Sequence, residues 1–94
     1  MTSKQRAYLG KMSNQIDSIF NVGKNGISNE LIIGIDEALK SRELIKIGVL
    51  DNIDISVKDI AEEISSKTSS ETVIVLGRKI VLYRKNPEIG RYKV

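Results

Sequence analysis

Between residues 31 and 49 the apolar pattern changes period, and this change restricts the possible architectures more than any other feature of the chain. Leu31, Ile32, Ile35, Ala38 and Leu39 fall at i, i+1, i+4, i+7 and i+8, the stripe of one helix face, with Ser28 ahead of them as a plausible N-cap. A few residues later Ile45, Ile47 and Val49 alternate with Lys46 and Gly48, the two-residue period of a strand with one buried face. A strong helix running almost directly into a strand points to an α/β arrangement in which the helix packs back on the sheet.

The flanking segments extend the pattern. Thr2 with Gln5 three residues on forms a capping box, and Leu9, Met12 and Ile16 recur at helical spacing, which predicts a helix over about 3–15. "SIFNV" (18–22) is short, apolar and rich in strand formers, and it stops at Gly23. Ser56 and Asp59 open a third helix whose buried face is Val57, Ile60, Ala61 and Ile64. "TVIVL" and "KIVLYR" flank Gly77 and Arg78, two residues with glycine first, which fits a type II′ hairpin. The predicted order is α-β-α-β-α-β-β. Strands separated by a helix should run parallel through right-handed crossovers, so a mixed four-stranded sheet with helices packed on it is expected. The tail "KNPEIGRYKV" holds the only proline and should lie outside regular structure.

Ninety-four residues suit one domain, which at this size buries roughly 60 to 65% of its unfolded surface. The chain has no cysteine and no histidine. Disulfide frameworks, thiolate nucleophiles, imidazole bases and zinc-finger spacings are therefore excluded. Asp51 and Asp54 could offer oxygens to Mg²⁺, but "DNID" (51–54) is turn chemistry and no third ligand is evident. No acid, base or nucleophile constellation can be assembled, so a protein that is not an enzyme, with no cofactor and no metal, is expected. The longest apolar runs, "VIVL" and "IVLY", fall far short of a membrane span, and a soluble cytoplasmic protein is the expectation.

Charge is segregated along the chain. Residues 1–29 carry +3, residues 30–75 carry −5 and residues 76–94 carry +5. If the two ends meet in space, their cations form one patch suited to a polyanion; the bland reading is scattered solubilising charge. Between the predicted first strand and second helix lies "GKNG", Gly23 to Gly26. Glycine at both ends lets the backbone approach a ligand, and the helix N-terminus behind supplies free N–H groups near Gly26, Ile27 and Ser28 and a positive dipole end, beside the ammonium of Lys24. The segment is a credible phosphate cradle and equally a turn that any strand-to-helix connection needs. It is neither a Walker loop nor a dinucleotide fingerprint. Arg78 and Lys79 at the hairpin, Arg84 and Lys85 after the last strand, and the rings of Tyr83 and Tyr8 add candidate phosphate contacts and base platforms.

Four blocks, "KQRAYLGKM", "VGKNGIS", "ALKSRELIKIGVL" and "GRKIVLYR", in this order and with these gaps, resemble the CRM domain (chloroplast RNA splicing and ribosome maturation), in particular its stand-alone bacterial YhbY-like members. The resemblance covers about Thr2 to about Lys85. It implies a fold similar to the C-terminal domain of bacterial translation initiation factor three, in agreement with the order derived above, and it implies RNA binding. Bacterial members of the family are linked to precursors of the large ribosomal subunit and plant members to intron splicing. The family's GxxG loop, carried here onto Gly23, Lys24, Asn25 and Gly26, is likened to the phosphate-clamping loop of KH domains, although that loop joins two helices and this one joins a strand to a helix. Basic positions beside the loop correspond to Lys4, Arg6 and Lys11 on helix one and to Arg78, Lys79 and Arg84 in the last block.

The expectation is thus an RNA-binding domain over 1–85 with a tail over 86–94, monomeric, contacting ribosomal RNA through phosphates. If about six phosphates are neutralised, log affinity should fall against log salt with a slope of roughly −4 to −5. The competing expectation is a protein-interaction module on the ribosome or an assembly factor, using an open sheet face or the acidic side around Asp59, Glu62 and Glu63.

Overall fold

The computed structural model describes residues 1–94. Its elements follow the predicted order: α1 (Ser3–Ser13), β1 (Ser18–Val22), α2 (Asn29–Arg42), β2 (Leu44–Val49), α3 (Val57–Thr68), β3 (Glu71–Leu76) and β4 (Lys79–Tyr83). Each helix starts where a side chain can satisfy its free N–H groups. The Thr2 hydroxyl accepts from the Gln5 N–H at 3.1 Å while the Gln5 side chain accepts from the Thr2 N–H at 2.8 Å. Ser28 and Ser56 cap Leu31 and Asp59, each at 3.1 Å. Helix α1 ends at Ser13, two residues earlier than its periodicity predicts, because Asn14, Gln15 and Ile16 donate to carbonyls three residues back and tighten the last turn out of α geometry.

The sheet order is β1-β2-β4-β3, with β1 parallel to β2 and β4 antiparallel to both its neighbours. Strands β2 and β3, joined through α3, point the same way as expected, but β4 is inserted between them. Positive φ at Gly77 alone fits the type II′ hairpin.

Alternation along the strands sends side chains to two separate cores. Ile45, Ile47, Val49, Ile80 and Leu82 face α2 and α3, where they meet Ile35, Leu39, Ile60 and Ile64. Leu44, Val81 and Tyr83 face the other way and, with Val73, meet Leu9 of α1. The result is a three-layer sandwich, with two helices on one side and one on the other.

Residues 86–94 form no helix or strand, as their composition predicts, but they are tied down. Glu43, which caps the C-terminus of α2 with φ +65, is fully buried. Its carboxylate accepts from the N–H of Asn86 at 2.7 Å and of Arg91 at 2.6 Å, and its carbonyl accepts from the N–H of Arg84 at 2.9 Å. Tyr92 then packs edge-on against Tyr83, with ring centres 6.3 Å apart and planes at 87°.

Candidate nucleic-acid interface

The strand register decides which of the predicted contacts share a surface. Val22 lies opposite Val49, so β1 and β2 finish together, and Lys79 lies opposite both Gly48 and Leu76, which brings the β3–β4 hairpin to the same end. Backbone bonds lock these loops to one another. The Leu50 N–H donates to the Val22 carbonyl at 2.9 Å, and the Val49 N–H to the Arg78 carbonyl at 2.8 Å. Arg78 returns the tie, its Nε donating to the Val49 carbonyl at 2.9 Å and its Nη2 to the Leu50 carbonyl. The Gly23–Gly26 loop therefore sits on a braced platform rather than on a free strand end.

Within the loop, the Gly26 N–H donates to the Gly23 carbonyl at 2.9 Å and closes a tight turn, for which Gly26 adopts φ +70. That corrects one expectation: the Gly26 amide is engaged by its own turn and not available to a phosphate. The donors left open are those of Ile27, Ser28, Asn29 and Glu30, which make no hydrogen bond and lie at the positive end of α2. Lys24 and Asn25 are exposed beside them, and Lys24 forms no ion pair.

The expectation of a single patch from both chain ends is only half met. Arg84 and Lys85 follow Tyr83, whose register partners Leu44 and Glu71 mark the opposite end of the sheet. Five strand residues separate them from the hairpin by roughly 17 Å. Arg84 is also occupied: its guanidinium donates to Asp36 Oδ1 at 2.7 Å, to the Asp36 carbonyl at 2.9 Å and to the Thr68 carbonyl at 2.6 Å, tying α2 to the end of α3. This partner, with Lys40 next to it, holds the Asp36 carboxyl below the usual carboxylate range. A depressed folded-state pKa gives stability that is present above the unfolded value near 3.8 and lost as pH falls through the folded value. Because Asp36 is partly exposed, the effect should be about 1 kcal/mol at most. Acid titration of stability in Asp36→Asn should accordingly be shallower than in the wild type below about pH 4; identical curves would show that the pair adds nothing.

Tyr83 is not a base platform. Only 6% exposed, it lies under α1 and Tyr92, and burial raises its pKa. Its hydroxyl is buried without a hydrogen-bond partner. Leaving a buried hydroxyl unpaired costs about 1–3 kcal/mol, so Tyr83→Phe should raise stability by about 1 kcal/mol, or roughly 4–8 °C in Tm. A fall in Tm on that substitution would mean that the hydroxyl has a partner.

On α1, Arg6 turns onto the sheet edge, where its Nη1 donates to the Val73 carbonyl at 2.9 Å and to the Thr72 carbonyl. These carbonyls flank the irregularity in the β3 register, so Arg6 braces a bulge while its residue stays exposed. Tyr8 packs half-buried against the smaller core, while Lys4 and Lys11 are exposed. Lys11 lines a groove between α1 and β3 together with Gly10, Asn14, Ile74 and Leu76. Lys79 remains exposed at the loop end. Sequence reasoning passes over two residues of this surface, Asn21 and Lys46. Both were legible as strand positions pointing away from the larger core. No group of three or more acidic, histidine or cysteine side chains is placed to hold a metal ion, and no helix is long and apolar enough to cross a membrane.

With this geometry in place, the chain can be set beside known proteins. The family described as CRS1 / YhbY (CRM) domain matches residues 1–84. A Bacillus subtilis protein named "Probable RNA-binding protein YqeI" is 39% identical over 94% of this chain and 92% of its own length. A Haemophilus influenzae protein named "RNA-binding protein" is 27% identical over 94% of this chain and 89% of its own length. Among solved structures, the solution structure of the hypothetical protein SAV1595 from Staphylococcus aureus, described as a candidate RNA binder, matches with a TM-score of 0.79. The two are 45% identical over 92% of this chain and 90% of that one.

Proposed function

This chain belongs to the CRS1 / YhbY (CRM) domain family, and from that premise we propose that it is a non-catalytic RNA-binding protein that grips phosphates at the loop end of its sheet. The observation that carries this reading is the convergence of three things at one end: the Gly23–Gly26 turn, the open N–H groups at the start of α2, and the unpaired ammonium of Lys24. A phosphate there meets donors held in place before it arrives, so little ordering is needed on binding. Arg78 acts indirectly, by fastening the hairpin to the β2–α3 turn. Asp51 and Asp54 belong to that same turn, while Lys46 and Lys11 lie on the α1 side of the sheet, and the RNA backbone is taken to run on that side.

The RNA assigned is ribosomal RNA in precursors of the large subunit, on the strength of the family resemblance, with the protein acting as a cytoplasmic monomer. Lys24, Lys46 and Lys11 are the cations that face the proposed phosphate path. Three phosphate contacts rather than six correspond to a slope of log affinity against log salt of about −2 to −2.7. Fluorescence anisotropy with purified protein and ribosomal RNA fragments over 50 to 300 mM KCl measures it; an absence of salt dependence would overturn the phosphate reading. The protein-interaction alternative draws support from Leu76, 70% exposed on edge strand β3, and predicts partners that stay bound after ribonuclease treatment.

A further inference from the structure

Helix α1 covers only the part of its sheet face that holds Leu44, Val73, Val81 and Tyr83. Toward the loop end one cross-strand row stays open: Asn21 lies opposite Gly48, Gly48 opposite Lys79, and Lys79 opposite Leu76, so a single line of side chains crosses all four strands. The neighbouring row contributes Lys46 and Ile74. Across these positions there are two lysines and a carboxamide, and no carboxylate. The centre of the row is a notch. A Cβ placed on Gly48 would stand 2.5 Å from Asn21 Oδ1 and 3.3 Å from Lys79 Nζ, so both polar side chains lean over the glycine from either side. Neither makes a hydrogen bond within the protein. The row begins one residue before Val22, next to the Gly23–Gly26 loop, and ends at Leu76, in the groove that Lys11 lines.

We infer that this row is a base-reading strip for an unpaired stretch of RNA, with Asn21 and Lys79 as the residues that set base preference. The inference rests on the phosphate grip proposed above: the loop holds the backbone, and the adjoining bases lie across the row toward the groove between α1 and β3. The sheet carries no exposed aromatic ring there, so discrimination comes from hydrogen bonding. The Asn21 carboxamide both donates and accepts, and the Lys79 ammonium donates to base acceptors such as guanine O6 and N7. Ile74 and Leu76 supply apolar contact to the flat face of a base. Duplex RNA has its base edges paired and cannot use the strip.

The test uses the full chain and fluorescein-labelled probes of equal length: single-stranded 12-mers of A, C, G and U, and a mixed-sequence 12-base-pair RNA duplex. The wild type is expected to rank the four homopolymers at least fivefold apart. Asn21→Ala and Lys79→Met should compress that ranking to within twofold while leaving duplex affinity within twofold of wild type. Gly48→Ala, which removes no polar group but displaces both side chains, should do the same, and Lys79→Arg should restore part of the ranking. Lys24→Glu should weaken all probes together. Should Asn21→Ala and Lys79→Met melt like wild type yet keep its ranking, or weaken duplex and single strands equally, the strip is overturned and the loop grip stands. If the wild type binds none of the probes, both proposals fall.

Discussion

Replacing Lys24 by glutamate is expected to weaken RNA binding at least tenfold, whereas Lys85→Glu should change it less than twofold. The two substitutions alter net charge equally, so a mechanism based on overall charge predicts equal losses. The structure separates them. Lys24 is exposed on the Gly23–Gly26 turn, beside the open N–H groups of α2, and pairs with no acid. Lys85 lies past the opposite end of β4, with its ammonium 3.4 Å from the Val94 carbonyl. A charge-assisted hydrogen bond to phosphate contributes about 1.5–3 kcal/mol, and each 1.4 kcal/mol is tenfold in affinity. Glutamate also places a like charge against the phosphate, and the salt slope should shrink by roughly 1 in that variant only. Filter binding or anisotropy on melt-verified proteins decides the matter. Equal losses for the two variants would show that binding follows net charge and not this loop.

How far the sequence discloses this arrangement depends on the range of the interactions involved. The elements are legible because periodicity and capping are local: Thr2 with Gln5, Ser28 with Leu31 and Ser56 with Asp59 all act within one turn. Which cations share a surface is not local. It depends on β4 inserting between β2 and β3, which no short window reveals. One clue was nonetheless present, since Arg78 and Arg84 flank a strand of about five residues and so cannot sit at the same end. The arginines are the hardest to read. Arg6, Arg78 and Arg84 look like three solvated cations, and each instead donates to main-chain carbonyls distant in sequence. A planar fork of donors suits that bracing role as well as it suits phosphate, and only the coordinates distinguish the two. The lysines Lys24 and Lys79 have no such ties and stay exposed.

Glu43 is where local reading misleads most, and Glu43→Ala should be the most destabilising of the changes considered, by about 3 kcal/mol. By sequence it is one more acid at the end of a charged helix. In the fold it is fully buried at positive φ, and its two carboxylate oxygens receive the N–H groups of Asn86 and Arg91. Removing the carboxylate leaves both N–H groups without their partner at a buried position and detaches the segment that lays Tyr92 on Tyr83. For a domain of this size, 3 kcal/mol corresponds to a fall in Tm on the order of 10 °C or more. Glu43→Gln keeps the shape but turns an amide donor toward one of the two N–H groups, so it should recover only part of the loss. Amide exchange at Asn86 and Arg91 should accelerate in both variants. RNA affinity of the folded fraction should stay within twofold of wild type, because the loop end lies across the sheet. A Glu43→Ala protein that melts within 2 °C of wild type would show that the tail is held by its aromatic packing and not by this carboxylate.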